Sequence, residues 1–220
     1  MLKKAIILVS GGMDSCVTAA CAINDGYIPS FLHMNYGQTT EKKELRAFNK
    51  ISDHYSVTNK LIVNISHLTQ IGGSSLTDES IETPNANLEN TDIPISYVPF
   101  RNANMISVAV SWGEVIDSNA IYIGAVEEDS SGYPDCRRSF FDAFEKVIKY
   151  GCKPETNIEI VTPLITLTKK EIIELGLSLN APLELTWSCY KNNDMPCMVC
   201  DSCALRKRGF ELAKVNDPIL

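Results

Sequence analysis

The chain has 220 residues, of which 45% are hydrophobic, and its 27 acidic and 20 basic residues give a formal net charge of −7. This length predicts one well-cored domain with at most a small appendage. The acidic charge disfavours nonspecific binding to a polyanion, and no apolar run is long enough to span a bilayer. We therefore expect a cytoplasmic protein that acts on small molecules, without direct contact to nucleic acid or membrane.

The start of the chain predicts a strand that leads into a phosphate-binding loop. The apolar run at 5–9 is followed directly by Ser-Gly-Gly-Met-Asp-Ser at 10–15. Adjacent glycines let the backbone turn sharply and direct N–H groups at an anion, serines add hydroxyl donors, and the next helix offers its positive N-terminus. The sequence matches neither a Walker A loop nor a dinucleotide-binding loop, and the alternative is an ordinary Ser/Gly-rich turn before a helix that Asp14 caps.

Strands and helices are predicted to alternate along most of the chain. The apolar patterns indicate strands at 5–9, 30–34, 61–65, 120–124 and 158–161, and helices at 14–24, 39–55, 102–118, 140–150, 169–179 and 204–215. The charged helix at 39–55 is expected to lie on the solvated surface. The alternation predicts an α/β fold with a doubly wound parallel sheet, which binds ligands beyond the carboxyl ends of its strands.

Two regions depart from this alternation. An insertion is expected at about 66–96, and its part from 72 to 96 is rich in Ser, Thr, Asn, Asp and Pro without a clear period, which is typical of a lid or of a surface loop. The last 35 residues contain the clustered cysteines. We therefore predict an α/β domain at 1–185 and a C-terminal cysteine-containing segment with a helix at 186–220.

Four of the eight cysteines lie close together in the sequence: Cys189, Cys197, Cys200 and Cys203. Four thiolates are enough to complete a tetrahedral shell around Zn²⁺, which would make a closed, structural site. The C-x2-C-x2-C spacing also occurs in iron–sulfur proteins, so the spacing alone favours zinc without excluding a cluster.

Other residues at loop-to-helix junctions are candidates for anion or substrate binding. Arg101 follows Val98-Pro99-Phe100, and a phosphate, a carboxylate or a surface ion pair are all possible partners. Lys169 and Lys170 begin a helix, where cations oppose the macrodipole, which suggests a nearby anion; a solvated charge pair is favoured for Lys170. The segment at 131–138, Ser-Gly-Tyr-Pro-Asp-Cys-Arg-Arg, follows a strand and by itself is typical of a turn.

The motifs occur in a fixed order that covers nearly the whole chain. They are S-G-G-M-D-S at 10–15, V-P-F-R-N at 98–102, S-G-Y-P-D-C-R at 131–137, T-P-L at 162–164 with Lys169, L-T-W-S-C-Y at 185–190, and the cysteine pattern that ends in Leu205-Arg206. Together they resemble the family of 7-cyano-7-deazaguanine synthases in the PP-loop ATP pyrophosphatase superfamily. Phe100 stands where this family frequently has glycine. The resemblance implies an adenine nucleotide alpha hydrolase-like, Rossmann-like fold.

The resemblance also implies an activity, cofactors and roles for particular residues. The enzyme would convert 7-carboxy-7-deazaguanine, ammonia and ATP into the 7-nitrile, a precursor of queuosine-type tRNA modifications. Val9, Ser10, Gly11, Gly12, Met13, Asp14 and Ser15 would bind ATP, with Asp14 and Asp129 holding Mg²⁺. Asp14, Arg101 and Lys169 would be catalytic, and Tyr133, Asp135 and Arg137 would bind the substrate, with the Asp135 carboxylate accepting from its guanine-like edge. The four cysteines would hold the structural zinc.

Two other functions stay open at this point. One is another PP-loop ATP pyrophosphatase that acts on tRNA, a thiolase or a ligase, whose cysteines would carry sulfur or an iron–sulfur cluster; the acidic charge disfavours it. The other is a nucleotide-binding module without turnover. Met1 is followed by Leu2, so the chain has no N-terminal glutaminase cysteine and free ammonia is the expected nitrogen source. A homodimer is possible.

Overall fold

The computed structural model describes residues 2–78, 80–88, 92–127 and 132–220. Five parallel strands form one sheet in the order β3-β2-β1-β4-β5. The strands are β1 (Lys4–Leu8), β2 (Ile28–Asn35), β3 (Lys60–Asn64), β4 (Ala120–Tyr122) and β5 (Glu159–Val161). The helices in the described ranges are α1 (Met13–Asn24), α2 (Glu41–His54), α3 (His67–Ile71), α4 (Arg101–Ile116), α5 (Arg138–Gly151), α6 (Lys169–Ser178) and α7 (Asp201–Ala213).

The sheet has a hydrophobic core on each face, because alternate side chains of its buried strands point in opposite directions. Ala5 and Ile7 of β1 pack with residues of α1, α2, α6 and α7 in one core. Ile6 and Leu8 pack with residues of α4 and α5 in the other. This arrangement is the predicted doubly wound parallel sheet, and it places the loops after β1, β2 and β4 at one edge.

The structure differs from the predicted elements in two respects. The second helix was predicted as a solvated surface helix, but one of its faces packs into the core, where Phe48 and Ile51 of α2 are completely buried. This apolar face is difficult to recognise in the sequence, because the first turn of the helix is charged. Helix α3 was not predicted, since five residues are too few to show a helical period.

The predicted insertion and the C-terminal segment both contact the rest of the protein. Leu76, in the insertion, is 4% exposed and belongs to the core beneath α4 and α5, while the backbone N–H of Ala86 donates to the carbonyl of Val199 at 2.8 Å. The backbone N–H of Trp187 donates to the carbonyl of Gly11 at 2.9 Å. The division into 1–185 and 186–220 stays a prediction. Among the described helices, none is both long and apolar enough to cross a membrane.

Candidate active site

A cavity of about 270 Å³ lies at the edge of the sheet where the strands end. Residues at or just past the ends of β1, β2 and β4 line it, which is where a doubly wound sheet binds its ligands. Among the predicted site residues, the lining includes Arg101, Tyr133, Lys169 and the whole loop from 9 to 15 except Gly11. The structure thus brings together predicted site residues from four separate parts of the chain.

The loop between β1 and α1 has the backbone that an anion-binding turn requires. Gly11 has φ +96°, and a Cβ at this position would lie 2.5 Å from the carbonyl oxygen of Glu44, so only glycine fits. The Ser10 and Ser15 hydroxyls lie 3.1 Å apart, and the backbone N–H of Gly12 donates to Ser10 Oγ. With the N-terminus of α1 directly behind them, these donors can hold a pyrophosphate group.

Asp14 and Lys169 form an ion pair in the cavity. Lys169 Nζ lies 2.6 Å from Asp14 Oδ2, although the two residues are 155 positions apart in the sequence. The other oxygen, Oδ1, is buried and has no hydrogen-bond partner in the described part of the chain. A buried carboxylate oxygen is costly without a donor or a cation, so this atom fits a bound metal ion. Asp129, the second predicted magnesium ligand, lies outside the described residues.

Arg101 begins α4 and faces the cavity among aromatic side chains. Its Nη1 donates to Tyr36 Oη at 3.1 Å, and its guanidinium lies over the Tyr36 ring. Burial raises the pKa of Tyr36 to about 12 and that of Tyr190 well above its ordinary value, so both phenols are neutral at pH 7. Within the described ranges, no carboxylate lies within 4.0 Å of this guanidinium. Its charge is therefore available to an anion in the cavity.

Phe100, the residue before Arg101, has a backbone conformation that favours glycine. Phe100 has φ +56° and ψ +26°, the left-handed conformation that glycine adopts without strain. Its side chain is 60% exposed, and its backbone N–H donates to Tyr97 Oη at 3.0 Å. The backbone of the V-P-x-R-N motif thus accepts phenylalanine at some cost in strain.

The turn after β4 contributes Tyr133 and Cys136 to the cavity lining. Asp135 is 3% exposed, and its Oδ2 accepts from the backbone N–H of Asn102 at 2.9 Å. Asn102 Nδ2 in turn donates to the carbonyl of Asp135, so this pair joins the turn to the start of α4. Arg137 is exposed at the N-terminus of α5. The structure therefore separates the predicted substrate residues: Tyr133 faces the cavity, Asp135 braces α4, and Arg137 faces solvent.

Cys136 lies in the cavity lining between cationic groups. Its Sγ accepts from Asn102 Nδ2 at 3.3 Å, and Arg101 and Lys169 both act on it electrostatically. Burial nevertheless raises the pKa of the Cys136 thiol to about 11. Because the thiol is protonated at neutral pH, the structure favours a packing role over a nucleophilic one.

The four clustered cysteines converge on one point. Their sulfur atoms all lie within 4.8 Å of one another, and the Cys197 and Cys203 sulfurs are 4.0 Å apart. Backbone N–H groups of Lys191, Asn192 and Cys197 donate to Cys189 Sγ. Such N–H···S bonds are suited to holding thiolates, so the cluster can bind a metal ion.

Several cavity residues come from the segment beside these cysteines and were not predicted. Ser188, Tyr190, Asp201, Ser202 and Arg206 line the cavity, and α7 begins at Asp201, directly after Cys200. Arg206 is 4% exposed and forms a two-bond ion pair with Asp217 at 2.7 and 2.8 Å. These residues belong to the last two motifs, so their position in a motif is the sequence signal that could have identified them.

Comparison with known proteins identifies the family. The family model described as "Queuosine biosynthesis protein QueC" matches residues 4–214. The 7-cyano-7-deazaguanine synthases of Chloroherpeton thalassium and Chlorobium phaeobacteroides are each 58% identical over 216 residues, which is 98% of this chain and 96% of each relative.

Among solved structures, the U34-tRNA thiolase NcsA from Methanococcus maripaludis, with its [4Fe-4S] cluster, matches with a TM-score of 0.52. The match covers 97% of this chain and 66% of the thiolase, but the identity is 15%, so the similarity concerns the fold alone. The family match and the two synthases extend over almost the entire chain, including every motif that lines the cavity. The predicted membership is confirmed: the chain belongs to the QueC family of queuosine biosynthesis proteins.

Proposed function

We propose that this chain converts 7-carboxy-7-deazaguanine, ammonia and ATP into 7-cyano-7-deazaguanine in queuosine precursor biosynthesis. One observation supports this function above all others. A pyrophosphate-type loop, the Asp14–Lys169 pair and the half-buried Arg101 face the same cavity. Such a site can hold ATP beside a second, anionic substrate, as an enzyme that activates a carboxylate requires.

The first half of the reaction makes the carboxylate reactive. A carboxylate is a poor electrophile, because its leaving group would be oxide. Attack of one carboxylate oxygen on the α-phosphorus of ATP releases pyrophosphate and leaves an acyl adenylate. The N–H groups and hydroxyls of the 10–15 loop would hold the departing pyrophosphate, while Arg101 and Lys169 would offset the charge that develops on the transferring phosphoryl group.

The second half of the reaction converts the activated acid into a nitrile. Ammonia adds to the adenylate carbon, and AMP leaves to give the amide. The amide oxygen then attacks a second ATP, releasing pyrophosphate again, and loss of AMP with the remaining N–H protons yields the nitrile. One site can perform both activations, because each needs the same arrangement of α-phosphorus, oxygen nucleophile and pyrophosphate cradle.

Two metal ions belong to this proposal. Asp14, through its unpartnered Oδ1, and Asp129 would hold Mg²⁺, which neutralises phosphate charge when bound. Cys189, Cys197, Cys200 and Cys203 would hold Zn²⁺. Ligands about 2.3 Å from a tetrahedral zinc stand about 3.8 Å apart, close to the observed spacing. A four-iron cluster separates its cysteine sulfurs more widely, so the 4.8 Å limit favours a single ion.

Recognition of the deazapurine involves the turn at 132–137. Tyr133, which lines the cavity, would pack against the base, and its hydroxyl bonds to Ser96 Oγ at 2.9 Å. Asp135, the predicted acceptor for the base, already accepts from the Asn102 N–H at Oδ2 and keeps its other acceptor positions. Arg137 would reach substrate only after moving from its exposed position. The proposal places the enzyme in the cytoplasm, where its thiolates stay reduced.

The proposal predicts which bond of ATP is broken. We expect phosphorus NMR of a reaction with 7-carboxy-7-deazaguanine and ammonia to show AMP and pyrophosphate in equal amounts, because the loop lacks the lysine of a Walker A motif. A reaction without ammonia is the control, and it should stop after little ATP has been consumed. Formation of ADP and orthophosphate would contradict adenylation.

A further inference from the structure

Among the residues that the structure describes, three carboxylates line the cavity, and two of them already have partners. Asp14 is paired with Lys169. Glu44 accepts at both oxygens, from Thr40 Oγ1 at 2.6 Å and from Gln38 Nε2 at 3.0 Å. The third is Asp201, the first residue of α7.

Asp201 has acceptor capacity left over. It accepts a hydrogen bond from the backbone N–H of Asn87, in the insertion, and Lys191 attracts its charge without forming an ion pair within 4.0 Å in the described part of the chain. A carboxylate has two oxygens and about four acceptor positions. One N–H therefore leaves most of the carboxylate able to accept donors from the cavity.

The surroundings of Asp201 also connect it to Arg101. The backbone of Tyr190 donates to the sulfur of Cys200, which directly precedes Asp201, and the Tyr190 phenol interacts electrostatically with Arg101. Asp201, Tyr190 and Arg101 thus line the same cavity, which presents both a carboxylate acceptor and a guanidinium donor. A flat molecule with an acid group at one end and N–H donors at the other matches this arrangement.

A 7-deazaguanine that carries a 7-carboxylate is such a molecule. Its N1–H and N2–H₂ form two parallel donors, which a carboxylate accepts together, and its acid group suits the guanidinium. We propose that Asp201 accepts the N1–H and N2–H₂ donors of the deazaguanine and so determines base specificity. This inference rests on the proposed function, and it assigns to Asp201 the recognition that the sequence had suggested for Asp135.

Asp201→Asn separates this role from a structural one. The asparagine carbonyl can still accept from Asn87, so the insertion stays attached, but one acceptor becomes an NH₂ donor that faces a donor of the base. We expect kcat/KM for the deazaguanine acid to fall about 100-fold while KM for ATP changes little. Wild type should also discriminate strongly against the analogue that lacks the 2-amino group, and the variant should lose most of that discrimination.

The ratio of the kcat/KM values for the two substrates remains informative if the variant is less stable, because inactive protein lowers both values equally. Glu211→Gln, at the exposed far end of α7, is the matched control and should keep wild-type discrimination. Retention of discrimination in Asp201→Asn, or its loss in Asp135→Asn instead, would overturn the assignment. If wild type made no nitrile at all, the proposed function itself would fail, which is a different result.

Discussion

Cys200→Ser is expected to lower the free energy of unfolding by several kcal/mol and to abolish activity, because metal binding and local folding are coupled in four-cysteine sites. Cys200 is completely buried and forms the N-cap of α7. The segment that it anchors donates the Trp187 N–H to Gly11 of the phosphate-binding loop. Loss of the metal should therefore disturb both the cavity wall and the loop, as thermal unfolding and ATP-binding measurements can show.

Cys152→Ser is the matched control, since Cys152 is partly exposed at the end of α5 and lies outside the cluster. It should keep the metal content, stability and activity of wild type. Elemental analysis of wild type should give one zinc per chain. Iron in place of zinc, or a Cys200→Ser variant as stable as wild type, would contradict the proposed structural zinc.

Arg101→Gln is expected to lower kcat/KM about 100- to 1,000-fold, the usual effect of removing one preorganised group that stabilises developing charge. The neutral amide cannot replace a half-buried cation that has no carboxylate within 4.0 Å in the described part of the chain. Because glutamine is a good helix former at the start of α4, the fold should be retained. Steady-state kinetics with the deazaguanine acid, combined with circular dichroism, measure the two effects separately.

Arg208→Gln, an exposed arginine of α7, is the control for loss of positive charge in general. Its kcat/KM should stay within about twofold of wild type, because an exposed charge contributes little. If Arg101→Gln behaved like this control, Arg101 would have only a packing role. The anion in the cavity would then be bound by Lys169 and the loop alone.

The strands and the loop were predictable because they are local. An apolar run that ends in Ser-Gly-Gly specifies both the buried strand β1 and the φ +96° turn at Gly11. Helix α4 was predictable from its apolar spacing. The apolar face of α2 was missed because its polar first turn dominates the composition, although Phe48 is completely buried.

The site was predictable to a smaller extent, because its geometry depends on contacts between distant segments. Asp14 and Lys169 were each selected from the sequence, but their 2.6 Å ion pair spans 155 positions. Asp135 was expected to face the base, and the structure uses one of its oxygens to brace the start of α4. A role for Asp201 in the cavity was not predicted, because metal binding by the neighbouring cysteines is a sufficient reason for the motif.

The most direct test of the central claim is a reaction with 7-carboxy-7-deazaguanine labelled with ¹⁸O at both carboxylate oxygens. Double adenylation transfers each labelled oxygen to a different AMP, because the first leaves when ammonia displaces AMP and the second when the nitrile forms. We predict that mass spectrometry finds two singly labelled AMP molecules for each 7-cyano-7-deazaguanine. Label in phosphate or water, unlabelled AMP, or AMP production without the nitrile would contradict the account.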